Sequence, residues 1–167
     1  MRKEVLLTLA EYNHWANKQL LRKAARLSHE VLWKPNWLSR GTVIATLLHI
    51  ADTQNAWRVT AQTGLMPPDE PKPEDYPDIP SLRKFWEVDD EELVAYIRSL
   101  KNSQLNQEVE YSWPRARPRR KVLWHILYHF LNHGTHHRAE VGQYLASIGH
   151  PVGDLDFLDY VSKATKK

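Results

Sequence analysis

Apolar residues recur every three or four positions in four separate stretches of the 167-residue chain, and this spacing constrains the fold more than any other feature. Residues at that spacing share one face of an α-helix, and such a face must be buried against other helices. The predicted helices cover approximately residues 4–27, 39–64, 81–100 and 119–148. The sequence therefore predicts an all-α protein built as a four-helix bundle.

Four residues mark where these helices are expected to begin or end. Ser39 is a candidate N-cap for the second helix and Ser81 for the third, because a serine hydroxyl can accept a hydrogen bond from the first helical turn. Gly64 and Gly149 are placed to end the second and fourth helices. The acidic residues of the third helix are expected to face away from its apolar side.

The connections between the helices differ in length and composition. Residues 65–80 contain six prolines in sixteen positions, so they are expected to cross the surface as a long extended loop. A linker between two domains would look similar, but neither flank alone has enough apolar faces to close a core, which favours a single domain over residues 1–167. Val109, Tyr111 and Trp113 alternate with polar residues and predict a short strand or hairpin before the last long helix.

The end of the chain is expected to form a terminal turn or short helix. Its apolar residues are predicted to pack back on the bundle: Leu155, Phe157, Leu158 and Tyr160.

Composition excludes several classes of function. The chain has no cysteine, so it offers no disulfide, thiolate ligand or cysteine nucleophile, and any metal must bind through nitrogen and oxygen. No stretch approaches the ~20 apolar residues of a membrane span, so we expect a cytoplasmic protein without membrane contact. The net charge of +3 concentrates in one basic segment, residues 115–121, which lacks the aromatic residues and motif of a nucleic-acid site. We interpret it as a solvated loop.

Five histidines lie within thirteen residues of the predicted fourth helix: His125, His129, His133, His136 and His137. Successive residues turn by about 100° around a helix axis, and the apolar residues of this helix fall within about 40° of Phe130. On the same projection His137 lies about 20° and His133 about 60° from Phe130, so both are expected to face the interior. The other three lie about 100° or more away, at the margin or toward solvent.

Two imidazoles one turn apart on a buried face can bind a single divalent ion, and a third ligand should then come from another helix. His49 is the one histidine of the second helix. A core histidine with its own hydrogen bonds is the alternative for His49. Three neutral imidazoles with an open position are typical of catalytic zinc, nickel or iron(II) sites. Gly134, between the pair, would clear space for a close-packed helix or a ligand.

Four segments resemble the DinB family of four-helix bundles, which carry a three-histidine metal site. They are YNHWANKQLL (12–21), LLHIADTQNAW (47–57), HFLNHGTHHRAEVGQYL (129–145) and GHPVGDLDFLDY (149–160), in the family's order along nearly the whole chain. The resemblance implies that the metal ligands are His49, His133 and His137.

The resemblance also leaves some positions open. The family often has glycine and glutamine where this chain has Ala139 and Glu140, so the effect of Glu140 on the site is undecided. His129 and His136 match positions that are not usually ligands, although His129 remains a candidate for supporting one.

The function implied by the resemblance is that of a metal-dependent enzyme, similar to a thiol S-transferase. Its nucleophile would be an exogenous low-molecular-weight thiol or a metal-bound water. Its metal ion would be zinc or nickel, with iron as an alternative. The alternative function is a non-catalytic metal-binding bundle that serves as a sensor, a store or a dimeric partner module. The resemblance further implies a small-molecule substrate and a homodimer, and nucleic-acid binding is not expected.

Four further residues are candidates for the surroundings of the site. Tyr12, Trp15 and Trp57 would either line a pocket or pack in the core. Asp52, near His49, would orient an imidazole, act as a base, or be a solvated surface carboxylate.

Overall fold

The computed structural model describes residues 1–164, and it is an all-α bundle with one small two-stranded sheet, as the apolar spacing predicts. A single-turn 3₁₀ helix, Pro73–Asp75, lies within the proline-rich crossover between the second long helix and the third. The elements in chain order are α1 (Lys3–Ala24), α2 (His29–Trp33), α3 (Val43–Thr63), α4 (Ile79–Ser99), α5 (Asn102–Leu105), β1 (Glu108–Tyr111), β2 (Arg119–Val122), α6 (Leu123–Ser147) and α7 (Phe157–Ala164).

The caps of α3 and α4 differ from the predicted ones. Thr42, not Ser39, caps α3 by accepting a hydrogen bond from the backbone N–H of Ala45 at 3.1 Å. Asp78, not Ser81, caps α4 and accepts from the backbone N–H of Ser81 at 2.8 Å. Gly64 ends α3 with φ of 77°, in the left-handed region that glycine adopts without strain.

The predicted hairpin is present, and it shortens the last long helix. Tyr111 pairs with Arg119 and Glu110 with Arg120 in an antiparallel register. Residues 119–122 are therefore strand, and α6 begins at Leu123 rather than at Arg119 as the periodicity predicted. The backbone of Ser112 also donates to the carbonyl of Gly64 at 3.0 Å, so the hairpin is attached to the end of α3.

Two apolar clusters fill the bundle, and a layer of polar side chains lies between them along the helices. On α4 this layer contains Asp89 and Asp90, which are only 1% and 4% exposed. The prediction that the acidic residues of this helix face away from the core is wrong at these two positions. Gln54 donates to both carboxylates, at 2.9 and 2.8 Å, and Arg58 donates to Asp89 at 2.6 Å. These bonds offset the cost of burying the carboxylates.

The same polar layer connects α1 with α6. The guanidinium of Arg138, 3% exposed, donates to the side-chain oxygens of Asn13 and Asn17. Asn13 in turn donates to Gln54 at 2.7 Å, which links the layer from α6 through α1 to α3.

The short terminal helix α7 packs on α1, as predicted for the end of the chain. The Tyr12 hydroxyl donates to the backbone carbonyl of Leu155 at 2.6 Å, and the ring of Tyr12 meets Phe157 edge-on at 5.3 Å. Leu158 is 75% exposed, so its predicted packing on the bundle is wrong. Within the part of the chain that the structure describes, no helix combines the length and the apolar character that crossing a membrane requires.

Candidate metal centre

The packing of α3 along α6 brings His49, His133 and His137 together. The ring of His49 lies 4.9 Å from each of the other two rings, which are 4.5 Å apart, centre to centre. The Nε2 atoms of His49 and His133 are separated by 3.2 Å. One nitrogen from each ring can be chosen so that all three lie within 4.8 Å of one another. The tertiary structure thus assembles the trio that the sequence pointed to.

The geometry of this trio fits a divalent transition metal. Two nitrogens bound at 2.0–2.1 Å to a tetrahedral ion lie about 3.3 Å apart, close to the separation of the His49 and His133 Nε2 atoms. The buried Nδ1 of His133 has no hydrogen-bond partner among the described residues. Three imidazole nitrogens without a thiolate form a donor set suited to zinc, nickel or iron(II).

Burial keeps two of the imidazoles neutral. It lowers the pKa of His49 to about 3, and the nearby positive charge of Arg40 contributes to the same shift. Burial likewise lowers the pKa of His133 to about 4, with His137 as the next cause. At neutral pH both rings therefore keep one unprotonated nitrogen, which is the form that binds a metal.

Glu140 orients the third imidazole. Its Oε2 lies 2.8 Å from Nδ1 of His137, so a proton on Nδ1 is shared with the carboxylate and Nε2 is free to face an ion. Ser39 holds Glu140 in place, because its hydroxyl donates to Oε2 at 2.9 Å and its backbone N–H donates to Oε1. Partial burial alone would raise the pKa of Glu140, but the hydrogen bonds from Ser39 and His137 outweigh it and lower that pKa.

This arrangement answers what the sequence left open about Glu140. Its spacing of three residues from His137 is the signal that could have identified the pair, since residues i and i+3 are neighbours on a helix. The role of Ser39 was missed, because the residue contacts Glu140 across 101 positions of chain.

Arg40 is a second residue that sequence reasoning missed. Its Nη2 lies 2.9 Å from Nδ1 and 3.0 Å from Nε2 of His49, next to the three imidazoles. The side chain is exposed and belongs to the loop between α2 and α3. A guanidinium in this position places a positive charge beside the candidate ligands, and it would attract an anionic group to them.

The other histidines of α6 lie outside the trio. His125, His129 and His136 are exposed, as the helix projection predicted. The ring of His129 lies 6.2 Å from that of His133 and 5.3 Å from that of Trp57. His129 therefore lies between the three imidazoles and an aromatic cluster of Trp57, Tyr111 and Trp113.

The remaining candidates occupy different surroundings. Tyr12 and Trp15 have ring contacts with α7, which is the packing role considered for them. Asp52 is partly buried, and burial raises its pKa to about 6, with the negative charge of Glu70 adding to the rise and Arg40 opposing it. A carboxyl group whose pKa is raised to about 6 can act as a general base near neutral pH.

Gly134 makes room for a neighbouring helix rather than for a ligand. A Cβ atom at this position would lie 2.9 Å from Nη1 of Arg138 and 3.2 Å from Oδ1 of Asn13. Because that guanidinium is buried and hydrogen-bonded, it cannot easily move away. Gly134 therefore permits the link between α1 and α6 that fixes the depth of the two histidines beside it.

Comparison with known proteins agrees with this geometry. A search among curated proteins gives no match. The family model described as the DinB family matches residues 1–167, the full length of the chain. The family resemblance implied a helical bundle with His49, His133 and His137 gathered between two of its helices, and the structure has this arrangement. Because the family model matches the chain over its whole length, the chain belongs to the DinB family.

Proposed function

We propose that this chain binds a divalent transition metal through His49, His133 and His137 and uses it as an enzyme of the thiol S-transferase type. The observation that carries the proposal is the convergence of three imidazole nitrogens from two helices within 4.8 Å of one another. Zinc or nickel is the proposed ion, with iron as the alternative.

His49, His133 and His137 would hold the ion, which would supply Lewis-acid chemistry that lowers the pKa of a water or thiol nucleophile. The protein residues around it bind and orient. Glu140 accepts a hydrogen bond from the Nδ1–H of His137 and fixes its ring, and Arg40 offers a positive charge to an anionic group that approaches the ion.

The thiol must come from outside. The chain contains no cysteine, so any sulfur nucleophile would be an exogenous low-molecular-weight thiol. Water is the alternative nucleophile at the same position, which would make the enzyme a hydrolase. Asp52, with its pKa raised to about 6, is the proposed group to take a proton from the nucleophile.

Calorimetric titration of tag-free, metal-free protein with Zn²⁺ and with Ni²⁺ tests the ligand set. We expect one ion per chain, and a loss of affinity of about 100-fold or more when His49, His133 or His137 is replaced by alanine. His136→Ala is the matched control, because it removes an exposed imidazole directly beside His137. The assignment would be overturned if His136→Ala lost as much metal affinity as the three variants, or if the three variants kept the affinity of the wild type.

Assays of the metal-loaded protein with pairs of small thiols and electrophiles test the catalytic part. Turnover that consumes one thiol per product and disappears in His133→Ala supports an S-transferase. The alternative is a non-catalytic metal-binding bundle. It would be favoured if the protein binds metal but turns over no electrophile, with either a thiol or water as the nucleophile.

A homodimer is also proposed, from the family resemblance. Light scattering in solution gives the molar mass directly, and a value twice the 19.6 kDa of one chain is the expected result. Cytoplasmic localisation likewise stays a prediction from the sequence.

A further inference from the structure

The basic segment that the sequence left as a solvated loop forms one wall of a pocket. Residues 119–122 are strand β2, and their side chains alternate between the two faces of the hairpin. Arg119 lies opposite Tyr111 in the register, so the two side chains share a face. Arg120 points to the other face, where it forms an ion pair with Glu110 at 2.8 Å.

A cavity of about 400 Å³ opens on the face that carries Arg119, between the hairpin, α3 and α6. We call it the hairpin pocket. The residues that matter for its chemistry are Trp57, Tyr111, Trp113, Arg119, Lys121 and His129. Its volume lies in the range of small-molecule sites.

Three aromatic rings form the apolar wall of the hairpin pocket. Trp57 meets Tyr111 at 5.5 Å and Trp113 at 6.1 Å, both edge to face, and Tyr111 lies 5.4 Å from Trp113. Tyr111 is 4% exposed, so the base of the cluster is held in the core. Rings arranged in this way offer both edges and faces to another flat ring.

The charged part of the pocket is entirely basic. Arg119 places its guanidinium carbon 4.9 Å from the centre of the Trp113 ring, and Lys121 lines the same cavity. No carboxylate is among the described residues that line it. A cavity with an aromatic wall and two unopposed cations matches a ligand that has a flat apolar body and a negative charge.

We propose that the hairpin pocket binds small aromatic anions, such as aromatic carboxylates or sulfonates. The cations Arg119 and Lys121 select for the charge, and the rings of Trp57 and Trp113 select for the flat body.

The position of the pocket connects it with the candidate metal centre. His129 touches both regions, with its ring 5.3 Å from Trp57 and 6.2 Å from His133. A bound aromatic anion would therefore lie beside the trio of His49, His133 and His137, which is where the electrophilic substrate of the proposed reaction would bind. Only this link rests on the proposed function, because binding in the pocket needs no metal.

Calorimetric titration with three probes tests the pocket. Naphthalene-2-sulfonate has both the ring and the charge, 2-naphthylmethanol has the ring alone, and sulfate has the charge alone. We expect naphthalene-2-sulfonate to bind at least about tenfold more tightly than the neutral probe, and sulfate not to bind measurably. Equal affinity for the charged and neutral naphthalenes would overturn the proposal.

Matched variants on one strand locate the binding. Arg119→Gln and Lys121→Gln should each weaken naphthalene-2-sulfonate binding about three- to fivefold and leave the neutral probe unchanged. Arg120→Gln removes the same charge from the opposite face and should change neither affinity by more than about twofold. Equal weakening in Arg119→Gln and Arg120→Gln would show a general charge effect and overturn the site.

A Trp113→Leu variant should weaken both naphthalene probes, with the fold checked by circular dichroism. Unchanged affinity in a folded Trp113→Leu protein would overturn the aromatic wall.

The His133→Ala variant separates this inference from the proposed function. Naphthalene-2-sulfonate should bind this variant as tightly as the wild type, even if metal binding is lost. Failure of the triad to bind metal would thus leave the pocket result intact, whereas metal binding without probe binding would overturn the pocket alone. In Co²⁺-loaded wild type, the ring protons of the bound probe should broaden in NMR spectra, and the absence of broadening would overturn the link to the triad.

Discussion

Glu140 links helix α6 to the loop before α3, since its carboxylate contacts His137 within α6 and Ser39 in that loop. An anionic partner on the far side of an imidazole orients the ring and makes its other nitrogen a stronger donor. The spacing of three residues within α6 is compatible with the His137 contact, but helix periodicity contains no sign of the contact with Ser39, which lies 101 positions away in the chain.

We predict that Glu140→Gln weakens Zn²⁺ binding about tenfold, because the amide can still hold the His137 ring but no longer carries the negative charge. Glu140→Ala should weaken it further, toward about 100-fold. Calorimetric titration measures both values. Gln143→Ala, an exposed position one turn along the same helix, is the control and should bind Zn²⁺ as the wild type does.

The pH dependence of stability is predicted from Asp52. Its pKa is about 6 in the folded protein, compared with the usual 3.8, so between these values the folded state holds more protons than the unfolded state. The free energy of unfolding of the wild type therefore decreases through Asp52 as the pH rises from about 4 to about 6. Asp52 is partly exposed, so solvent reduces the effect to about 1 kcal/mol.

In Asp52→Asn this loss is absent. The free energy of unfolding of the variant relative to the wild type should increase by that amount from pH 4 to pH 6 and stay constant above it. Urea unfolding of metal-free protein at several pH values measures the difference, and a difference independent of pH would contradict the assignment.

At the scale of the elements, the end of α3 and the hairpin form one unit. Gly64 ends the helix with φ of 77°, and its carbonyl accepts the backbone N–H of Ser112 at 3.0 Å. The periodic apolar pattern predicted the helix and the alternation predicted the hairpin. Their attachment to each other was not predictable, because it depends on a backbone bond between residues 48 positions apart.

We predict that Gly64→Ala destabilises the protein by about 2–4 kcal/mol. About 1–2 kcal/mol comes from placing a Cβ atom at a left-handed residue, and the rest from a clash, since that atom would lie 2.9 Å from the backbone oxygen of Glu110. Gly149→Ala is the matched control, because Gly149 has a similar φ of 83° and nothing within 4 Å of the added atom. Thermal or urea unfolding should show a larger loss for Gly64→Ala; equal losses would rule out the clash.

Across the whole molecule, the buried polar layer holds the helices at the relative depth that the candidate metal centre requires. Arg138 binds Asn13 and Asn17 on α1, and Asn13 binds Gln54, which follows His49 on α3 by five residues. A shift of α6 against α3 by a fraction of a turn would separate the imidazoles.

We predict that Arg138→Met destabilises the protein by about 3–5 kcal/mol, because it leaves the buried amide oxygens of Asn13 and Asn17 without their donor. Arg138→Lys should reduce the free energy of unfolding by less, because lysine keeps the positive charge although it lacks the planar guanidinium that reaches both asparagines. Urea unfolding measures these changes. The control Arg98→Met removes an arginine that is 65% exposed and should cost less than about 0.5 kcal/mol.

The sequence by itself determined the helical class, the crossover, the hairpin and the inward direction of His133 and His137, because these follow from short-range periodicity and from the conformational preferences of proline and glycine. Only the tertiary structure decided which partners the side chains meet. Asp89 and Asp90 enter the core, Ser39 holds Glu140, and the basic strand faces an aromatic pocket. For the two aspartates and for Glu140 the deciding contact is a hydrogen bond between residues distant in the chain, and its energy depends on burial that the local pattern does not encode.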